Sequence, residues 1–274
     1  MSQTPTLITS KSNRMVMWLA SLAQKKYREK EKSFLCEGDK LFKEAVKANA
    51  PISHIVLRED RKDLLNEALA YCEMHSETEI LLLSEPCFDK VCTEKAPQGV
   101  IVVLKYLDFS KYYYIIKKEI FSDADICGAV FLESVQDPGN VGAVLRSAAA
   151  FGVSDVILTN DCADLYHPKT LRASMGALFH LRTHVVEDMA QTIAEFKASG
   201  RRVFAAMPSQ TASPLNQANL SMQDGIVIGN EGHGISSAVA EASGEYVYIP
   251  MTDAVESLNA SVAASVLIWE LMKN

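Results

Sequence analysis

The sequence predicts an α/β protein with two domains, and three observations carry this prediction. Short apolar strands alternate with amphipathic helices through both halves of the 274-residue chain. Strands such as residues 226–228 are apolar throughout, which is typical of a parallel sheet covered on both faces. Residues 106–125 interrupt the alternation with a tyrosine cluster, lysines and acidic residues. We therefore predict a smaller N-terminal α/β domain at 1–105, a linker at 106–125 and a second domain with a parallel sheet at 126–274.

The first domain is predicted to begin with one long helix, from Asn13 to about Glu31. Apolar residues recur there at three- and four-residue intervals, so that one side is apolar and the other largely basic. The apolar positions are Met15, Leu19, Leu22 and Ala23. Further strands are predicted at 34–37, 54–57, 80–83 and 100–104, and further helices at 39–48, 62–75 and 88–92.

The second domain repeats this alternation more strongly. Strands are predicted at 129–134, 156–158, 182–186, 203–206, 226–228 and 246–249. Helices are predicted at 141–151, 168–177 and 189–198, with a terminal helix after Asn259. The Pro-Gly and Asn-Val-Gly elements of residues 138–142 predict a tight turn with Asn140 as the helix N-cap.

The composition indicates a globular protein with free thiols. Hydrophobic residues make up 48% of the chain, yet no run reaches the roughly 18 apolar residues of a membrane span. The N-terminus lacks the pattern of a signal peptide, so we expect a cytoplasmic protein. The six cysteines are scattered, and the pair Cys87 and Cys92 has no second pair or histidine nearby. We therefore predict neither a disulfide framework nor a metal site.

The charge is distributed unevenly along the chain. The net charge is −7, and residues 126–274 hold 8 basic and 15 acidic residues. The first 32 residues are instead basic, and cationic side chains are what phosphate contacts require. The candidate RNA contacts are Lys11, Arg14, Lys25, Lys26 and Arg28. A solvated helix face is the alternative interpretation of these residues.

Three polar turns follow predicted strands of the second domain. The first, residues 136–142, leads into an apolar helix that contains Arg146, a residue costly to bury unless it meets an anion or extends to solvent. The second, residues 229–234, is rich in glycine, and its Glu231 is either a cap or a functional carboxylate. The third, residues 257–261, places Ser257 and Asn259 at the start of the last helix.

These turns predict one site, because the carboxyl ends of parallel strands meet at the edge where open α/β sheets bind ligands. The candidate site residues are Asn140, Arg146, Glu231, Ser257 and Asn259. They include no histidine-activated nucleophile and no cluster of metal ligands. The set is typical of a transferase that orients its substrates. A nicotinamide-dependent oxidoreductase is the alternative for the second turn, although its glycine order does not match that fingerprint.

The three segments, in this order, resemble the motifs of the SpoU (TrmH-type) family of RNA ribose 2′-O-methyltransferases in the SPOUT superfamily. Residues 137–146 resemble the first motif, residues 228–232 the second and residues 249–259 the third. The first half resembles the SpoU substrate-binding domain at residues 26–28, 34–38 and 97–100.

The resemblance implies a trefoil-knotted methyltransferase domain that binds S-adenosylmethionine, and a homodimer that completes each active site. By motif position, Arg146 would act on the ribose hydroxyl as the base or through an RNA phosphate, positioned by Asn140 and Glu231. Ser257 and Asn259 would hold the arginine and the substrate. The cofactor-binding positions would be Gly229, Glu231, Gly232, Ile249, Pro250, Met251, Ser257 and Leu258.

We therefore expect methyl transfer to a ribose 2′-hydroxyl of structured RNA, with ribosomal RNA ahead of transfer RNA. A transfer-RNA enzyme and a non-catalytic RNA-binding protein that keeps the fold are the alternatives. The sequence departs from the family pattern at Asp253, a position that is often glycine. A carboxylate there could change the shape of the third turn.

Overall fold

The structure, a computed structural model, describes residues 5–107 and 127–273, so most of the predicted linker lies outside the described residues. The strands of the first half are β1 (Leu7–Ile8), β2 (Ser33–Glu37), β3 (Ile52–Arg58), β4 (Glu79–Leu83) and β5 (Val100–Lys105). Its helices are α1 (Arg14–Ser21), α2 (Lys25–Glu31), α3 (Asp39–Lys47), α4 (Lys62–Met74) and α5 (Glu85–Val91).

The second half contains seven strands, five α-helices and two short 3₁₀ helices in the described residues. The strands are β6 (Ala129–Leu132), β7 (Asp155–Thr159), β8 (Arg182–Val186), β9 (Val203–Ala206), β10 (Ser213–Pro214), β11 (Gly225–Ile228) and β12 (Gly244–Tyr248). The helices are α6 (Pro138–Phe151), α7 (Pro168–Ser174), α8 (Met189–Ala198), α9 (Ser237–Ser243) and α10 (Ala260–Met272). The short β1, β10 and α9 were not predicted, because a segment must be long enough for its apolar residues to recur several times before a periodicity is visible.

The described residues form two compact units. The first contains residues 5–107 together with Tyr166–Phe179, and the second contains 127–165 and 180–273. Helix α7 thus packs within the first unit, beside β2. The Tyr166 ring lies 4.4 Å from that of Phe34 and 4.2 Å from that of Tyr106, between ring centroids. These aromatic contacts hold the α7 segment on the first unit.

The sheet of the first unit has the strand order β1-β4-β3-β5-β2. Strands β1, β4 and β3 are parallel, whereas β5 runs antiparallel to both of its neighbours. One face of this sheet packs on α1 and α5 through a cluster that includes Val16, Leu19 and Phe88. The α/β class predicted for the first half is confirmed, and the sheet is mixed.

The prediction of one helix from Asn13 to Glu31 is wrong, because the chain turns between Ser21 and Lys25. Asn13 does cap α1, since its side chain accepts a bond from the Met15 N–H. The carbonyls of Leu22 and Ala23, which would continue a helix, instead accept Arg28 Nη1 at 2.9 and 2.7 Å. Arg28 is therefore only 1% exposed, and it is a structural residue rather than part of a cationic surface.

The sheet of the second unit has the order β10-β12-β9-β11-β6-β7-β8, and all its strands are parallel. The predicted α/β class with a parallel sheet is confirmed here. Residues of α8 and α9 cover one face of this sheet. In the apolar cluster between them, Phe196 of α8 packs edge-on against Phe131 of β6. Helices α6 and α10 pack against each other, and Ser147 and Ser265 share a 2.7 Å hydrogen bond between their hydroxyls.

A buried carboxylate lies at the amino edge of this sheet. Asp155 is 1% exposed and accepts two bonds from Arg182, at 2.9 and 2.6 Å. It also contacts His184 Nε2 at 3.2 Å and accepts the Ser154 hydroxyl at 2.7 Å. Burial alone would raise the pKa of Asp155, but the bonds from His184 and Arg182 outweigh it, so the pKa lies below its ordinary value.

The cysteines and the helix lengths agree with the composition. All six cysteines are free, as predicted. None of the helices within 5–107 and 127–273 has the length and apolar character of a membrane span. In the same ranges, no group of three or more His, Cys, Asp or Glu side chains is placed to hold a metal ion.

Candidate active site

The three polar turns lie at the carboxyl edge of the parallel sheet. The first follows β6 and the second follows β11, the strand hydrogen-bonded to β6. The third turn follows β12, which pairs with β9 on the far side of β11. The strand order reverses beside β6, with β7 and β8 on one side and the later strands on the other. This is the position at which open α/β sheets bind ligands.

A chain of side-chain hydrogen bonds connects the three turns. Asn140 Nδ2 donates to Glu231 Oε1 at 2.9 Å, and Asn259 Nδ2 donates to Asn140 Oδ1 at 3.1 Å. Asn259 Oδ1 accepts the N–H groups of Ser261 and Val262, which caps α10. Three of the five predicted site residues therefore meet directly, although 119 positions separate Asn259 from Asn140.

The prediction that Asn140 caps the first-motif helix is wrong. Asp137 is the cap: its Oδ1 accepts the N–H groups of Gly139 and Asn140 at 2.7 and 3.0 Å. Helix α6 therefore begins at Pro138, whose fixed φ and missing N–H suit the first helical position. Because Asp137 caps the helix, the side chain of Asn140 is available to bind Glu231.

Glu231 is held as a carboxylate. Partial burial would raise its pKa, but the bond from Asn140 and bonds from backbone N–H groups outweigh this effect and lower the pKa below its ordinary value. One of these N–H groups is that of Gln136, 3.5 Å from Glu231 Oε2. Glu231 is thus ionised at neutral pH and fixes the amide orientation of Asn140, whose oxygen then faces Asn259.

The second turn is closed by Asn230, a residue that sequence reasoning missed. The backbones of Asn230 and Gly234 exchange two hydrogen bonds, at 2.9 and 3.0 Å. Asn230 Oδ1 accepts the N–H groups of Gly232 and His233, and its Nδ2 donates to the carbonyl of Ser134 at 2.7 Å. The available signal was an asparagine directly after Gly229, since asparagine commonly bonds the backbone two residues on.

Glycine is required at position 229 because the backbone of Gly234 lies against it. A Cβ at this position would lie 2.4 Å from both the carbonyl carbon and the oxygen of Gly234. No side chain fits there without opening the loop. The glycine at this position therefore permits close approach of the chain to itself.

Arg146 and Ser257 are not joined to the bonded chain of Asn140, Glu231 and Asn259. Both side chains are exposed, and neither side chain makes a hydrogen bond or ion pair with a residue in the described ranges. Arg146 is one residue before Ser147, on the exposed side of the α6–α10 pair. The side chain of Arg146 extends from α6 to the surface of the chain.

The third turn has a surface that suits a nucleoside cofactor. Ile249 and Leu258 are half-buried, and Pro250 and Ser257 are exposed. Met251 is 46% and Val255 55% exposed, so apolar side chains are accessible in the turn that follows β12. Apolar groups with a few polar partners are what such ligands require. Gly232, Glu231 and Asp253 are exposed at the same edge.

The predicted cations of the N-terminus are only partly available for RNA. Lys11, Arg14, Lys25 and Lys26 are exposed, but Lys25 pairs with Glu29 at 3.8 Å and Arg28 is buried. A second group was missed by sequence reasoning: Lys40, Lys43 and Lys47 on α3. The three are exposed and make no ion pair with any described residue. Their spacing puts them on one side of α3.

These features define a class: an α/β transferase whose site is built from turns at the carboxyl edge of a parallel sheet. Residues 128–269 match the model of the SpoU rRNA methylase family, and residues 13–102 match that of the MRM3-like substrate binding domain. Because the first match spans more than half of the chain, the protein belongs to the SpoU rRNA methylase family.

Relatives match over nearly the whole chain. The 23S rRNA (guanosine(2553)-2′-O)-methyltransferase RlmP of Bacillus subtilis is 28% identical over 96% of this chain and 98% of its own. A solved RNA 2′-O-ribose methyltransferase is 28% identical, with a TM-score of 0.78 and 98% coverage of both chains. An rRNA methyltransferase of Sinorhizobium meliloti, solved with bound S-adenosylmethionine, shares the fold at 24% identity and a TM-score of 0.82, over 98% of this chain and 97% of its own.

Proposed function

We propose that this protein transfers a methyl group from S-adenosylmethionine to a ribose 2′-hydroxyl of structured RNA, with ribosomal RNA as the favoured substrate. The bonded chain from Glu231 through Asn140 to Asn259 carries this proposal, since it unites the three motifs of the family. Residues 1–105 are the proposed RNA substrate-binding domain, and 126–274 the methyltransferase domain with its trefoil knot. Because the proposed substrate is RNA, we propose a cytoplasmic location.

In the proposed methyl transfer, the main role of the protein is to orient the two substrates. When bound, S-adenosylmethionine supplies a methyl group that its sulfonium already activates. A ribose hydroxyl is a weak nucleophile at neutral pH, so alignment and partial deprotonation carry the reaction. Arg146 is the proposed group at that hydroxyl, either as its base or through an RNA phosphate. Glu231, Asn140 and Asn259 hold the edge to which the substrate binds.

The cofactor positions proposed are Gly229, Gly232, Ile249, Pro250, Met251, Ser257 and Leu258, with Glu231. Exposed apolar groups of the third turn would contact the adenosine, and backbone groups of these turns would bind its polar edges.

Incubation with methyl-labelled S-adenosylmethionine and separate pools of ribosomal and transfer RNA tests the function. We expect label in ribosomal RNA that resists alkali, because a 2′-O-methyl group removes the hydroxyl that attacks the phosphodiester. Label released in mononucleotides, or found on a base, would contradict the ribose assignment. Absence of cofactor binding in a calorimetric titration would favour the non-catalytic alternative. Label in transfer RNA alone would make transfer RNA, and not ribosomal RNA, the substrate.

The lysine row of α3 supplies a proposed phosphate contact. Substituting Lys40, Lys43 and Lys47 together by glutamine should weaken RNA binding and lower the slope of log affinity against log salt by about 2 to 3, since each phosphate contact contributes about 0.7 to 0.9. Titrations of RNA at several salt concentrations measure this slope.

A charge-matched control exists elsewhere in the first unit. Lys62, Lys95 and Lys105 are also exposed but lie on separate elements. Their triple substitution by glutamine removes the same charge and should change the slope by less than about 1. Equal changes in the two triple variants would show that net charge, and not the α3 row, attracts RNA.

We also propose that two copies associate through the α6–α10 pair. Val262, Val266 and Trp269 are 50%, 38% and 56% exposed on α10 and recur at helical spacing. Arg146 is exposed on the neighbouring helix, so a partner copy on this face would cover the arginine. An isologous contact of this kind fits the homodimer that the family resemblance implies.

Replacing Trp269 by glutamate tests this association. We expect the wild-type protein to sediment at twice its chain mass and Trp269→Glu at once its chain mass, because a charge cannot be desolvated in an apolar contact. Met74→Glu is the control, since Met74 is 75% exposed on α4 of the first unit and should leave the dimer intact. A monomeric wild-type protein would refute the proposal.

A further inference from the structure

Ser134 occupies an unusual backbone conformation beside the candidate active site. Its φ is 55°, in the left-handed region that non-glycine residues adopt at a cost. Its N–H donates to Thr159 Oγ1 at 2.9 Å, and its hydroxyl donates to Asp161 Oδ2 at 2.5 Å. Thr159 Oγ1 donates in turn to Asp161 Oδ1 at 2.5 Å. The Asp161 carboxylate therefore binds the Ser134 side chain directly and reaches the Ser134 backbone through the Thr159 hydroxyl.

The carbonyl of Ser134 connects this arrangement to the second motif. It accepts Asn230 Nδ2 at 2.7 Å. The other side-chain atom of that amide, Asn230 Oδ1, accepts the N–H groups of Gly232 and His233 at 2.8 and 3.0 Å. The turn of residues 229–234 carries Glu231, which binds Asn140. Asp161 is thus linked to the bonded chain of the site through Ser134 and Asn230, two residues without an assigned role in the reaction.

We propose that Asp161 is a positioning residue for methyl transfer. It keeps Ser134 in the left-handed conformation, Ser134 orients the Asn230 amide, and Asn230 shapes the turn that presents Glu231 to Asn140. Asp161 is exposed, and within the described residues it bonds neither Glu231 nor Asn140, so it acts only through this relay. The kinetic part of this inference rests on the proposed function, whereas the conformational part does not.

Asp161→Ala in the full-length protein tests both parts. Hydrogen exchange of the Gly232 and His233 amides should accelerate by about 10-fold or more, because Asn230 Oδ1 no longer protects them. The ratio kcat/KM for methyl transfer should fall by about 10- to 100-fold, the scale of a small misplacement at a reacting centre. Asp188→Ala is the matched control: Asp188 also accepts a backbone N–H, that of Gln191 at 2.9 Å, at the start of α8. The Asp188→Ala variant should have a lower melting temperature, but unchanged exchange of the Gly232 and His233 amides and an unchanged kcat/KM.

A second substitution separates positioning from general stability. Glycine adopts the left-handed conformation without steric cost, so Ser134→Gly should make the carboxylate less necessary. We expect Asp161→Ala to cost about 3-fold or less in kcat/KM in the Ser134→Gly background, a non-additive result. Unchanged exchange of the two amides in Asp161→Ala, or equal losses in both backgrounds, would overturn the inference. A wild-type protein that methylates no RNA would instead refute the proposed function, and the exchange result would still decide the conformational role of Asp161.

Discussion

Arg146→Ala should abolish methyl transfer while the protein continues to bind S-adenosylmethionine. We expect kcat to fall by about 10² to 10⁴, the range that a positioned proton-transfer group contributes. The affinity for the cofactor should change by less than about 2-fold, because the proposed contacts of Arg146 are with RNA. Single-turnover kinetics with labelled cofactor and calorimetric titration measure the two quantities separately.

The same variant should remain folded. The side chain of Arg146 is exposed and makes no hydrogen bond or ion pair with any described residue, so its loss should change the free energy of unfolding of the chain by about 0.5 kcal/mol or less. Arg146→Lys keeps the charge but loses the planar fork of donors, and it should restore little activity if the arginine binds a phosphate or ribose through that fork. A parallel loss of cofactor affinity and of kcat would place Arg146 at the cofactor instead.

Asp155→Asn should cause the largest loss of stability of any single polar change described above. The substitution keeps the volume but leaves Arg182 and His184 facing a neutral group in a buried place. Removing one partner from a buried pair costs about 3 to 5 kcal/mol, and we expect the lower end because Arg182 is 30% exposed. Chemical denaturation of the two proteins measures the difference in free energy of unfolding.

Asp60→Asn provides the matched control. Asp60 accepts two bonds from Arg58, at 2.6 and 2.8 Å, so its geometry resembles that of Asp155 with Arg182. Asp60 is 58% exposed, however, and an exposed pair contributes about 0 to 1 kcal/mol. Similar losses in the two variants would show that burial is not what makes Asp155 important.

The stability that Asp155 contributes should also depend on pH in a defined direction. Its pKa in the folded protein is lowered, so the contribution is complete above the unfolded value of about 3.9 and is lost as the pH falls below it through the folded pKa. The wild-type and Asp155→Asn proteins should therefore become more alike in stability as the pH falls below about 4. A difference that stays constant across that range would contradict the charge interaction.

The positions of most helices and strands could be predicted from the sequence, because they depend on local periodicity. The strand at Arg182–Val186 and the helix at Met189–Ala198 have the predicted bounds. The break between α1 and α2 was missed, since the residue that stabilises it, Arg28, resembles any other cation in a basic stretch. Only its contacts with the carbonyls of Leu22 and Ala23 distinguish it.

Some of the residues that form the candidate site could be predicted from the sequence. Asn140, Glu231 and Asn259 were chosen from three separate turns, and the parallel sheet brings them within hydrogen-bonding distance. Asp161 and Asn230 were not chosen, because each acts on residues distant in sequence: Asn230 bonds a carbonyl 96 positions away. The role of Asp137 as cap was likewise missed, since both Asp137 and Asn140 are acceptable caps by residue type.

The sequence by itself determined the α/β class, the elements and the three motifs of a SpoU methylase, because these depend on residue type and short-range spacing. The tertiary structure alone decided which side chains meet. Arg28 is buried, whereas Arg146 is exposed. Asp137 caps α6, so the side chain of Asn140 is available for Glu231. Ser134, in a left-handed conformation, binds Asp161. The physical reason is that a hydrogen bond requires atoms within about 3 Å, and the strand order of the sheet sets which turns come that close.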